Sequence, residues 1–142
     1  MKNSIYIKNR KASFDYFFLE EYTAGIQLLG SEVKSIISGK VSMVDAFCYI
    51  DKNEIFLKGL NVSPLGDFSH DSLRVKKLLL KKSEIAKLQR GLSTGITIVP
   101  FLIFTNERGK IKIKIALSRG KKNYDKRASI KEKELSRELR KS

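Results

Sequence analysis

The chain has 142 residues, 42% of them hydrophobic, and carries 29 Lys/Arg against 15 Asp/Glu, a formal net charge of +14. That is about one domain with enough apolar residues for a core, and its charge favours a polyanionic partner, nucleic acid first. An anionic membrane surface is the weaker choice, because no basic amphipathic helix with a broad Leu/Phe face is evident.

The first eleven residues, MKNSIYIKNRK, lack the apolar stretch of a secretion signal. The longest apolar run, residues 96–104, is well short of the roughly 20 residues a membrane-spanning helix needs. Cys48 stands alone, which fits a reducing compartment. The expectation is a cytoplasmic protein with no membrane contact.

In chain order, Arg10 and Lys11 form a basic cluster ahead of the first expected strand. Residues 15–30 mix aromatic and branched side chains with Gly25 and Gly30, which predicts a strand pair with a bend. Residues 31–40 predict a short helix capped by Ser31, with Val33, Ile36 and Ile37 on its apolar face and Gly39 ending it. AFCYID and EIFLKGL flank Lys52-Asn53, the signature of a hairpin. Residues 61–71 hold Pro64 and Gly66 and predict a loop. Residues 72–94 predict helix, with Leu78, Leu79, Ile85 and Leu88 as apolar positions and a possible second start at Ser83-Glu84. Two strands follow, GITIVPFLIF and KIKIKIALS, joined by a turn at 106–109. The order β-β-α-β-β-α-β-β fits a small closed antiparallel barrel with flanking helices, of the oligonucleotide-binding kind.

In KIKIKIALS, strand alternation puts Lys110, Lys112 and Lys114 on one face, opposite Ile111, Ile113 and Ile115. Like charges on one face repel, and a docked polyanion would relieve that cost; a solvated outer barrel face reads equally well. In RVKKLLLKK, Arg74, Lys76, Lys77, Lys81 and Lys82 bracket three leucines, within reach of phosphates or as the rim of an ordinary amphipathic helix. Tyr16, Phe17, Phe18, Tyr22, Phe47 and Tyr49 are candidates for base stacking, though most read as core.

Catalysis has little support. The single histidine, His70, has no second histidine to work with, and its neighbour Asp71 suggests a loop residue that positions the following helix. The chain lacks the N and S ligands of a zinc site, and no spacing supports a magnesium nuclease built on Asp45, Asp71 or Glu84. No cofactor or metal is expected.

The segments NRKASFDYFFLEEYTAGI, GSEVKSIISGKVS, FSHDSLRVKKLLL, ALSRGKK and NYDKR, in that order, resemble the SmpB family, whose members bind transfer-messenger RNA (tmRNA) in bacterial ribosome rescue. The resemblance spans about residues 9–135. It implies an oligonucleotide-binding barrel over 1–120 and a basic tail over 121–142, disordered when free and helical on the ribosome. It also implies a monomer that is not an enzyme, bound to the tRNA-like domain of tmRNA, its tail in the small-subunit decoding centre and mRNA channel. Leu79 and Lys112 match family positions tied to tmRNA binding, and Lys34 and Lys40 lie in another RNA-facing region. Gly120, Lys121, Lys122, Asp125, Lys126 and Arg127 match the family's tail pattern, with Tyr124 among them. Departures are Thr23 for a frequent glutamate, Ser13-Phe14 for a basic pair, Ser38 for arginine and Ser72 for proline. A ribosomal or translation-factor RNA-binding module is the alternative.

Residues 119–142 hold ten Lys/Arg and four Asp/Glu, a surplus of +6, and the preceding 118 residues a surplus of +8. The tail is therefore no basic appendage on a neutral body. Tyr124, Ala128, Leu135 and Leu139 make a stripe too thin to hold a lone helix in water. Such a segment folds where a partner supplies the surroundings.

Overall fold

A computed structural model describes residues 4–65, 70–128, 130 and 131. The elements are β1 (Tyr6–Lys8), α1 (Arg10–Asp15), β2 (Tyr16–Ile26), α2 (Gly30–Ile37), β3 (Val41–Ser42), β4 (Phe47–Asp51) and β5 (Glu54–Lys58). They continue with β6 (Asn61–Val62), β7 (Lys76–Leu79), α3 (Lys82–Gly91), β8 (Ile96–Thr105) and β9 (Ile111–Gly120).

Strand pairing runs β8-β4-β5-β7-β2-β9 and returns from β9 to β8, antiparallel throughout. The expected barrel is therefore closed, which removes the exposed edges an open sheet would present. β1 adds to the free side of β8, and β3 pairs with β6 in a separate ribbon. Alternate residues of each strand fill the interior: Ala24, Cys48, Ile55, Leu57, Leu78, Ile98, Ile103, Ile113 and Ile115 are all buried. Ile36 of α2 and Ile85 and Leu88 of α3 join the same core. Burying each such aliphatic side chain contributes roughly 1.5–3 kcal/mol.

The hairpin forms as expected, with Lys52 and Asn53 both at positive φ, the conformation a two-residue turn of the right twist requires. The turn after β8 is also as expected, Asn106 Oδ1 accepting from the N–H groups of Arg108 and Lys110.

Four expectations are corrected. Residues 15–30 are not a strand pair: β2 is one strand of 11 residues, and its bend is a bulge at exposed Leu19, between Phe18 and Glu20. α2 is not capped by Ser31; Glu32 Oε1 accepts from the N–H of Leu29 at 2.8 Å, and Gly39 at φ 78° ends the helix. His70 positions not the following element but α2, since Nε2 donates to the Val62 carbonyl at 2.8 Å. Nδ1 is then left to accept from Ser31 Oγ at 3.0 Å.

The largest correction concerns residues 72–94, which split into β7, an extended link through Lys81, and α3. Lys76 and Leu78 face inward and Lys77 and Leu79 outward, a period of two. Four residues satisfy strand and helix templates equally, and the need for a strand between β5 and β2 decides between them.

The sequence reading also missed β1 and α1. A three-residue strand is too short to show a period. α1 depends on its cap, with Asn9 Oδ1 accepting from the Ala12 N–H at 3.2 Å. The amide of Asn9 also donates to the Met43 and Pro100 carbonyls.

Past β9, residues 123–128 and 130–131 are helical. Tyr124 and Ala128 are exposed; Leu135 and Leu139 lie outside the described residues.

Candidate nucleic-acid interface

The barrel register places the two best sequence candidates side by side. Leu79 of β7 pairs with Gly25 of β2, and Gly25 pairs with Lys112 of β9. Paired positions share a face, so an apolar side chain and a cation flank a bare stretch of backbone on the outside of the barrel. Leu79 is 49% exposed, so its side chain is open to a partner. Gly25 makes its seat, since a Cβ there would stand 3.2 Å from Leu79 Cβ and 3.3 Å from Leu79 Cδ1. Two surface hollows, about 700 and 410 Å³, share Gly25, Leu79 and Lys112 in their walls, and Thr23 lines the larger. Lys114 lies one outward position along β9, paired with Thr23.

Behind this face lies a group of charges that the sequence reading placed differently. Glu32 of α2 is fully buried, and Arg74 Nη2 donates to its Oε1 at 2.6 Å and Arg74 Nε to its Oε2 at 3.1 Å. Lys76, also fully buried, brings Nζ to 3.4 Å from Glu32 Oε2 and donates to the Arg74 carbonyl at 2.6 Å. Burial opposes the ionisation of Glu32. The Arg74 hydrogen bonds, the Leu29 N–H and the charges of Lys76 and Arg74 outweigh it and hold the carboxyl below its ordinary range. Burial pushes Lys76 down, with Glu32 opposing.

Lys76 is therefore withdrawn from the expected phosphate contacts: an enclosed ammonium spent on Glu32 and a carbonyl has no access to RNA. Arg74 is largely committed as well, its guanidinium also donating to the Gln27 and Val75 carbonyls. Together these residues bolt α2 to the start of β7 and fix where Leu79 emerges. Glu32 is not legible as a site residue in the sequence because its partners Arg74 and Lys76 lie more than forty positions away; a glutamate three residues past the helix N-cap is its local signal.

The other candidates are dispersed. Lys77 faces outward and pairs with Glu54 of β5. Lys34 on α2 and Lys40 beyond Gly39 are exposed. Arg10 and Lys11 lie on α1, where Lys11 Nζ is 3.7 Å from Asp45 Oδ1. The hollow that Lys11 lines shares no residue with those around Leu79. Of the aromatics, Phe17 is covered by Arg119, 4.7 Å from the ring centroid, and by Lys121 at 4.9 Å. Phe18 packs on Phe101 and Tyr49 on Phe56.

At the tail root, Gly120 ends β9 opposite Tyr16. Lys121 donates its N–H to the Asp15 carbonyl at 2.7 Å, and Lys126 Nζ is 3.2 Å from Asp15 Oδ1. Asp125 Oδ2 accepts from the Lys122 N–H at 3.2 Å, capping the helical turn that carries Tyr124. Lys122 and Arg127 are exposed.

Among the described residues, no three His, Cys, Asp or Glu side chains gather as a metal site, and no helix is long and apolar enough to cross a membrane.

The family model described as SmpB protein matches residues 6–142. The chain belongs to the SmpB family. The SsrA-binding protein of Bacteroides thetaiotaomicron is 48% identical over 140 residues, covering 96% of this chain and 93% of the relative. That of Cytophaga hutchinsonii is 49% identical over 140 residues, covering 96% and 92%. A solved structure described as "tmRNA-SmpB: a journey to the center of the bacterial ribosome" superposes with a TM-score of 0.70 at 38% identity. It covers 88% of this chain and 94% of the solved one. SmpB proteins bind RNA and are not enzymes.

Proposed function

We propose that this protein binds tmRNA and delivers it to stalled ribosomes for trans-translation, acting in the cytoplasm as a monomer. Residues 1–120 carry the RNA. Residues 121–142 form the tail that enters the empty decoding centre and mRNA channel of the small subunit. The observation that carries this reading is the Leu79–Gly25–Lys112 row, an exposed leucine and a strand lysine across bare backbone in a chain of the SmpB family. Leucine offers an apolar contact to the flat face of a base or to a ribose, and the ammonium neutralises a phosphate.

In the body, Lys112 and Leu79 are the direct contacts. Lys77, Lys34, Lys40, Arg10 and Lys11 add a spread positive field, and Arg74 acts through Glu32. In the tail, Lys121, Lys122, Tyr124, Asp125, Lys126 and Arg127, following Gly120, are the ribosome-facing set.

The test is a gel-shift with tmRNA against excess tRNA at moderate salt. Preferential retention of tmRNA supports the reading. Equal displacement by tRNA would leave a general RNA-binding module instead.

A further inference from the structure

The outward row does not stop at Lys112. Lys112 pairs with Phe104 of β8, and Phe104 pairs with Tyr6 of β1. Leu79, Gly25, Lys112, Phe104 and Tyr6 therefore stand in one line across five strands, four strand spacings of about 4.8 Å each. Tyr6 is 67% exposed, the most exposed large hydrophobic residue among those described. Lys8, two residues on and so on the same face, holds Nζ 5.7 Å from the Tyr6 ring centroid. The pattern repeats one strand over, where Lys114 Nζ is 6.0 Å from the Phe104 centroid. Lys8 itself pairs with Leu102, and Leu102 with Lys114, so the ammonium groups form a second line beside the first.

An exposed phenol ring with an ammonium over one face matches one nucleotide, the opposite face of the ring taking the base and the cation its phosphate. The base must be unpaired, because a base within a duplex has both faces stacked already. Charge selects RNA over an apolar peptide as the occupant: Lys8, Lys112 and Lys114 lie along this face, and no carboxylate pairs with them among the strand partners.

We propose that the RNA interface extends over β8 onto β1, and that Tyr6 stacks on an unpaired nucleotide of the bound RNA while Lys8 neutralises its phosphate. This inference rests on the proposed tmRNA reading. β1 then has a role its three residues do not need for the barrel: it places an aromatic ring at the end of the Leu79–Lys112 row. The sequence signal is the alternation Ile5-Tyr6-Ile7-Lys8, two apolar residues inward and two ligand-type residues outward.

The full chain with Tyr6→Thr, Tyr6→Phe and Lys8→Ala tests this by tmRNA affinity across a salt series. Threonine keeps strand propensity without the ring. Tyr6→Thr should weaken binding between about fivefold and a hundredfold, the range for losing one stacked base, with the salt slope unchanged. Tyr6→Phe should bind like the parent chain, since stacking needs the ring and not the hydroxyl. Lys8→Ala should lower the salt slope by about one unit. Melting temperatures should stay level, because both side chains are exposed. Tyr6→Thr binding within twofold of the parent overturns the proposal, as it would if this face served a protein partner. Equal loss in Tyr6→Phe and Tyr6→Thr overturns stacking. A parent chain that shows no preference for tmRNA fails the proposed function itself, a result distinct from either.

Discussion

Adjacent leucines in β7 have opposite assignments, and the period of two decides them. Leu78 is 1% exposed in the core, while Leu79 is 49% exposed beside Gly25. Leu78→Ala should destabilise the protein by about 2–5 kcal/mol, the cost of a core cavity. Leu79→Ala should cost under about 1 kcal/mol in stability yet weaken tmRNA binding. Lys112→Ala should leave melting unchanged and lower the salt slope by about one unit. Paired melting and binding curves check all three.

Glu32 gives a pH signature. Its native pKa lies below the ordinary 4.5, so as pH falls the unfolded chain takes up this proton first. The stability from Glu32 is thus complete above the ordinary carboxylate range and declines as pH drops toward the lowered native value. Glu32→Gln should flatten that part of the acid-unfolding profile and lower stability at neutral pH, because Lys76 loses its charge partner in a buried site. Denaturant midpoints from pH 7 to 3 measure both effects.

At the scale of elements, the β7–α3 boundary makes a sharp distinction. Lys82 is the first residue of α3, and Lys81 before it is extended, with φ −66° and ψ 146°. A proline is tolerated at the first helical position, and the residue before it favours the extended region. Lys82→Pro should therefore change stability by less than about 1 kcal/mol. Were helix to run unbroken through Lys82, the same change in its interior would cost about 3 kcal/mol or more. The hairpin at Lys52-Asn53 and the β8–β9 turn were legible because their turn residues act locally. The split of 72–94 was not, because no residue within it announces that a strand is missing between β5 and β2. Likewise the bulge at Leu19 answers to the β2–β9 register, which lies almost a hundred residues away in the chain.

For the whole molecule, charge is spread over barrel and tail, and this shapes two expectations. With about six phosphate contacts, tmRNA affinity should fall on the order of 10³-fold between about 50 and 200 mM salt; binding nearly flat over that range would refute the electrostatic account. A chain ending at Gly120 keeps every strand and the Leu79–Lys112 row but loses nine of the ten basic residues of 119–142. It should retain most of its tmRNA affinity and fail to support peptide tagging on stalled ribosomes. Normal tagging by the shortened chain, or binding that collapses with the tail, would overturn that division of labour.

The residues alone determined a basic, mainly β protein, the faces of KIKIKI, and through matched segments the family. These follow from composition, short-range periodicity and turn chemistry, all of which are carried by neighbours in the chain. Only the tertiary structure decided that Lys76 is buried on Glu32 while Leu79 is not, and that Gly25 lies between Leu79 and Lys112. The same is true of Tyr6, which joins their row through Phe104. Each depends on which strands become neighbours when the barrel closes, and closure pairs residues by register across the sheet. A one-residue change of register would move every one of these side chains to the other face.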